Sequence, residues 1–410
     1  MGNLSFPLSF PLPKGNPDSF SLTGIKRVGR LYLGAGINLS FYLPLNDLGN
    51  GAVNTVTLFA LGSVTPTITR ASVAWCKLAS GLWGQVTTGV MRSHYLGRDT
   101  AIGPYGGFLS ELPGTQLVTP TAAIRDMTNA AWTAIGITPT KTATGIDGVP
   151  NSASTLTCTA PNGTILQTLV AAATSRTNSH FVRRVSGSGA ILLKQGTATQ
   201  DITASINSVT YTRLQLNDNE LNVAFGLQMA TIGDVIEVDF NQFEPLTAGQ
   251  FASSPMASTG AARAADVFTF AGAGNYNPAQ GTVYAEVSTN FTTNGVSAYI
   301  VGFPADARFS FNSLSTQNSV GDGTSFVTKT ALSDTNGVVR KRIMSFGAAG
   351  LAITGDGLTP ATGAFDGAMG TGANIHVAHL VGFQQLNGTL KELRIYLAQS
   401  TAAQMQTIST

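Results

Sequence analysis

The chain has 410 residues, too many for one ordinary hydrophobic core, and 11% of them are charged while 43% are hydrophobic and 46 are glycine. That balance excludes a disordered chain and leaves Thr, Ser, Asn, Gln and Gly to build the solvent face. A formal net charge of +2 excludes a nucleic-acid-binding stripe, and two distant cysteines, Cys76 and Cys158, read as buried thiols instead of a disulfide framework.

At the N-terminus, MGNLSFPLSFPLPKGNP lacks a basic segment and its prolines interrupt any apolar helix, so a signal peptide is not expected. Phe6 stands where a myristoylation signal needs Ser or Thr. Phe6-Pro7-Leu8 and Phe10-Pro11-Leu12 predict an extended arm, because proline fixes φ and pushes the preceding residue towards extended backbone. Its apolar side chains gain ~2 kcal/mol each on full burial. The arm therefore docks, either on another surface or as a strap across the chain's own first domain. No stretch approaches the ~18 apolar residues of a membrane span, so no membrane insertion is expected.

Short apolar runs at 31–33, 39–45 and 56–61, separated by Gly, Asn and Asp, predict strands and turns. Further along, period-two alternation marks strands with one buried face. Ile236, Val238 and Phe240 alternate with Glu237, Asp239 and Asn241; Val283, Ala285 and Val287 with Tyr284, Glu286 and Ser288; Leu393, Ile395 and Leu397 with Arg394 and Tyr396. Arg340-Lys341-Arg342 reads as an exposed strand end. A short helix capped by Ser400 is expected over 400–408, where Ala402, Met405 and Ile408 have helical spacing, and another over 128–132.

Several phrases then stand in order: Thr69-Arg70-Ala71-Ser72; Gly107-Phe108-Leu109-Ser110-Glu111-Leu112-Pro113-Gly114-Thr115-Gln116-Leu117; and Asp126-Met127-Thr128-Asn129-Ala130-Ala131-Trp132-Thr133. They continue with Gly233-Asp234, Gln242-Phe243-Glu244-Pro245, Ala248-Gly249-Gln250-Phe251-Ala252-Ser253-Ser254-Pro255 and Ala262-Arg263-Ala264-Ala265-Asp266. Together they resemble a module of bacteriophage tail and other virion proteins that contains a carbohydrate-binding-like jelly roll. From Asp266 onward the chain resembles a laminin-G or concanavalin-type sandwich, through Leu386-Asn387-Gly388-Thr389-Leu390-Lys391-Glu392-Leu393-Arg394-Ile395-Tyr396 and the short helix after it. Asn387-Gly388 also suits a two-residue hairpin turn.

The fold class expected is all-β: tandem antiparallel β-sandwiches (jelly rolls) with an extended N-terminal arm and a short C-terminal helix. The expected domains are an arm and virion-attachment region (residues 1–65), a β-rich connecting segment (66–118), the jelly roll (119–259) and the laminin-G/concanavalin-like sandwich (260–410). The resemblance implies a non-enzymatic structural protein on the virion surface, most simply a tail fibre or receptor-binding protein recognising host glycans. Capsid decoration or a head fibre is the alternative, and a polysaccharide depolymerase a third. Implied partners are other virion proteins, further copies of the chain and host surface glycans.

Sites of chemistry are sparse. His376 and His379 lie three apart, which on a strand places them on opposite faces and argues against a shared metal. Asp234, Glu237, Asp239 and Glu244 are the densest carboxylates, but Glu237 and Asp239 project towards expected solvent with no pocket to raise a pKa, so a glycosidase pair is not expected. Asn217-Asp218-Asn219-Glu220 and Gly321-Asp322-Gly323 offer oxygen ligands for calcium, although turn formation alone accounts for them. No cofactor is expected. A sugar site needs an exposed aromatic ring beside hydrogen-bonding groups, and the candidates are Tyr211, Tyr276, Tyr284 and Tyr299; Trp132 is assigned to packing.

Overall fold

The computed structural model describes residues 39–44, 59–60 and 67–410, apart from 79, 100–102, 112, 171, 222, 246–251, 261, 273, 290–297, 304–307, 312–316, 331, 333–337, 371–373, 381–384 and 387. The Phe-Pro-Leu arm and Asn387 of the expected hairpin turn lie outside the described residues. Within them the chain is all-β, with antiparallel sheets stacked as sandwiches and a short C-terminal helix. No helix among the described residues is long and apolar enough to cross a membrane.

The jelly roll has two five-stranded sheets. Sheet I runs Ile137–Ala143, Ala153–Cys158, Val235–Pro245, Thr174–Ser186, Thr212–Glu220; sheet II runs Ala198–Asp201, Ile191–Gln195, Ala224–Met229, Gly163–Thr168, Thr133–Ile135. Leu156, Val182, Ile236 and Val238 of sheet I meet Ile165, Leu193, Phe225 and Leu227 of sheet II in one core. Phe225 stacks on Phe243 with ring centroids 3.9 Å apart.

Ile236 and Val238 are buried between the sheets as their alternation requires, whereas Phe240 is buried against Trp75 and Arg125. At Phe240 the backbone adopts φ +42°, and the ladder skips from Ser179↔Gln242 to Phe181↔Asp239. This bulge inserts a residue and shifts the parity, so that Phe243 re-enters the core.

The second sandwich draws strands from both ends of the chain. Sheet III runs Phe59–Ala60, Leu39–Pro44, Gly388–Tyr396, Gly281–Thr289, Arg340–Phe346, Leu351–Gly355, Ala361–Gly363, with Gly103–Ser110 also pairing Gly388–Tyr396 and Ser93–Asp99 beside it. Sheet IV runs Phe326–Thr330, Gln317–Gly321, Arg308–Phe311, Ala298–Gly302, Asn374–Val377, Val267–Ala271, Thr67–Thr69. Val283, Ala285, Val287, Leu393 and Ile395 of sheet III pack on Phe268, Phe270, Ile300 and Val377 of sheet IV.

The C-terminal helix, Ala402–Ser409, lies on the outer side of sheet III and buries Met405 against Tyr284, Ile343 and Tyr396. Its cap is Thr401, not the expected Ser400. The Thr401 hydroxyl accepts from the Gln404 N–H and the Gln404 side chain accepts from the Thr401 N–H, a reciprocal pairing that Ser400 cannot make. Ser400 is buried, with its N–H donating to the hydroxyls of Thr282 and Ser345.

The helix expected over 128–132 is absent. Asp126 and Asn129 side chains accept from the N–H groups of Thr128 and Ala131, which favours turns over a helical ladder. The Trp132 indole donates to the Ala123 carbonyl at 2.9 Å. Arg342, expected at an exposed strand end, is buried and paired with Asp356 at 2.6 Å. Both cysteines are free and buried, and burial chiefly pushes the Cys76 thiol up to about 11.

Candidate functional site

The densest polar cluster lies where the chain passes between the sandwiches. Arg70 follows strand Thr67–Thr69, Asp266 precedes the paired strand Val267–Ala271, and Glu111 follows Gly103–Ser110. Arg263 belongs to a short strand pairing Gly114–Thr115. Asp266 accepts from Arg70 at 3.0 Å, from Arg92 Nε at 3.2 Å and through a second oxygen from Arg92 Nη2. Glu111 accepts from Arg92 at 2.5 Å and from Arg263, and both of these arginines reach the Ser254 hydroxyl.

All six residues are buried. Arg70 also donates to the carbonyls of Ser72, Val86, Thr87 and Val90. Burial alone would raise the Glu111 carboxyl, but the Arg263 and Arg92 guanidiniums outweigh it and hold it well below the usual carboxylate range. A closed set of fixed ion pairs presents neither a nucleophile nor a solvent-reachable acid. It works as a latch: Arg70, Glu111, Ser254, Arg263 and Asp266 come from four separate sequence phrases and meet here. Arg92 was missed by sequence reasoning, and its only signal is an isolated cation after the apolar pair Val90-Met91.

Part of sheet I's outer face is covered by the chain itself. The hairpin of Ala74–Lys77 and Trp83–Val86 sets Trp75 edge-on to Phe240 at 4.9 Å and Trp83 edge-on to Phe181 at 5.4 Å. Loop 144–152 lies over Asp239, which accepts from the Ile146 N–H at 2.9 Å and from Arg125 at 2.7 Å. A Cβ on Gly145 would meet Arg125, Ser152 and Asp239 side-chain atoms within 2.6 Å, so a larger residue there must displace this network. Segment 252–256 covers Gln242 and Glu244 through hydrogen bonds from Met256 and Ser253. Asp239, expected at the surface, is therefore buried; Glu244 is buried too, and Glu237 is half-buried.

The rest of that face is open. Thr140 pairs Thr155, Thr155 pairs Glu237 and Glu237 pairs Arg183, so four side chains stand in lateral register across four strands, roughly 14 Å. The Thr142 hydroxyl lies 3.1 Å from those of Thr140 and Thr155. Glu237 accepts from Arg183 Nε at 2.8 Å and lies 3.3 Å from the Tyr211 hydroxyl. Thr138 and Thr157 form the next row, and Val185, two residues beyond Arg183 on its strand, is exposed.

Of the four tyrosines, Tyr211 alone borders this face. It is half-buried, with Arg183 5.1 Å above its ring and the jelly-roll core packed against it. Tyr276, Tyr284 and Tyr299 are buried, which removes them as sugar platforms. Tyr284 lies under the C-terminal helix, and Tyr299 stands on a strand whose two faces are both covered.

The calcium loops have other uses. Asp322 accepts from the N–H groups of Thr324, Ser325 and Asp366, which closes a turn. Asn217, Asp218 and Asn219 belong to the paired strand Thr212–Glu220, where Asn217 accepts from Gln215 and Asp218 from the Asn219 N–H. Among the described residues no three His, Cys, Asp or Glu side chains gather as a metal set. His376 and His379 do not point apart: their ring centroids are 5.0 Å apart, because the strand ends at Val377 and Ala378 turns at φ +58°.

No protein-family model matches the chain, and no curated protein matches it. Among solved structures, the N-terminal CBM22-1-CBM22-2 tandem domain from Paenibacillus barcinonensis Xyn10C is similar at 11% identity, with 71% of this chain and 100% of that chain covered and a TM-score of 0.25. That score carries no argument about this chain.

Proposed function

We propose that the protein is a non-enzymatic bacteriophage virion protein, a tail-fibre or receptor-binding component that recognises host surface glycans through the open part of sheet I. The observation that carries the glycan reading is the row Thr140, Thr155, Glu237, Arg183. It holds hydroxyls and one fixed charge pair on a sheet, with exposed Val185 further along the strand of Arg183. Directional polar groups beside apolar surface are what a sugar ring requires. The ordered sequence phrases and the neutral polar composition support the virion setting, in which other virion proteins and further copies of the chain are the partners.

A glycan array of bacterial surface polysaccharides tests the reading. Wild type binds, and Thr155→Arg, which plants a long cation in the row, loses binding at least roughly tenfold with its melting temperature kept. Thr140→Arg, on the exposed edge strand, serves where the first variant does not fold. No binding by wild type, or undiminished binding by both folded variants, overturns the reading. Release of new reducing ends would favour a depolymerase, and imaging that finds copies spread over the shell would favour capsid decoration.

A further inference from the structure

We infer that the glycan taken by this face is a neutral one, without uronate, sialate or phosphate groups, and that Glu237 sets the preference; the inference rests on the glycan-binding reading above. The two cations at the row, Arg183 within it and Arg125 beside it, are already neutralised. Arg183 is held by Glu237 through two nitrogens. Arg125 is shared between Asp147 at 2.6 Å and Asp239 at 2.7 Å. Three carboxylates thus face two cations.

An anionic sugar would find no open guanidinium or ammonium in this set, and it would meet a surplus of negative charge. The groups left to make directional bonds are uncharged hydroxyls: Thr138, Thr140 and Thr142 are exposed, and Thr155 and Thr157 are half-buried. Hydroxyls both donate and accept, which matches the hydroxyl array of a neutral hexose or N-acetylhexosamine. Glu237 has the central part, because its carboxylate cancels Arg183, the cation standing in the row itself.

The test compares binding of the full chain to immobilised dextran and mannan with binding to polygalacturonate and polysialic acid, at low and high salt. Wild type binds a neutral polymer with little salt dependence and the acidic ones at least roughly tenfold more weakly. Glu237→Gln keeps an acceptor for Tyr211 but frees Arg183, and it gains acidic binding by about tenfold, the factor that one charge-assisted hydrogen bond brings. The gain disappears at high salt. Asp147→Asn loosens Arg125 beside the row and gives a gain in the same direction, which keeps the test open where the first variant is unstable.

Equal or tighter wild-type binding to the acidic polymers overturns the neutral-glycan inference and leaves the glycan reading standing. So does acidic binding that stays unchanged in both folded variants. No binding to any sugar by wild type removes the glycan reading and this inference with it.

Discussion

Asp266 shows how much one side chain can hold in place. It is fully buried and accepts from Arg70, from two nitrogens of Arg92 and from the Glu111 N–H. Asp266→Ala leaves those guanidiniums buried with Glu111 as the remaining carboxylate, an uncompensated charge that costs ~3–5 kcal/mol. Urea unfolding checks it, and a loss below ~1 kcal/mol would show that the latch contributes little. Four of the five charged latch residues lie in phrases that can be picked out of the sequence, yet nothing there shows that they meet, because their partners are far apart along the chain. The strand tyrosines Tyr284 and Tyr299 are buried for a related reason. An aromatic at an outward strand position looks exposed until a later element covers it, as the helix covers Tyr284.

At the scale of elements, alternation located Val235–Pro245, Gly281–Thr289 and Gly388–Tyr396 correctly, since a half-buried strand must repeat every second residue. It could not locate the bulge at Phe240, which is a decision about one extra residue against a partner strand unknown from sequence. Nor could it show that loop 144–152 and Arg125 close over Asp239, which keeps its outward side of the strand and is buried by them. The C-terminal helix was legible, but its cap was displaced by one residue. Thr401→Ala removes the cap while Ser400 stays in place, and it costs ~1 kcal/mol, read as faster amide exchange in the helix and a lower melting temperature. An equal effect from Ser400→Ala on exchange in the helix's first turn, with none from Thr401→Ala, would restore Ser400 as the cap.

Across the whole molecule, each sandwich carries a buried histidine. Burial foremost lowers His180 in the jelly roll from its usual 6.5 to about 4, and it lowers His379 in the second sandwich to about 4. The unfolded chain protonates both near pH 6.5 while the native protein resists until about 4, so the unfolded state binds more protons in that window. Stability therefore falls as pH drops from about 6.5 to about 4 and is kept above it, by on the order of 3 kcal/mol per histidine. Melting temperature against pH checks this; a flat profile across the window would refute it, as would a profile unchanged in the His180→Asn, His379→Asn double variant.

The architecture was legible as two consecutive sandwiches, whereas the chain interleaves them. Leu39–Pro44 and Gly103–Ser110 both pair with Gly388–Tyr396, and Thr67–Thr69 pairs with Val267–Ala271. Hydrophobic periodicity assigns strands without assigning partners, so the pairing could not be read. For synthesis on a ribosome the consequence is temporal. The jelly roll emerges complete and can fold as it appears, whereas the strand Leu39–Pro44 must wait for nearly the last residues to be translated, on the order of tens of seconds at ordinary rates of synthesis. During that wait its backbone edges are open to neighbouring nascent chains, and a factor that shields them, or slow dilute expression, should decide how much chain reaches the native state.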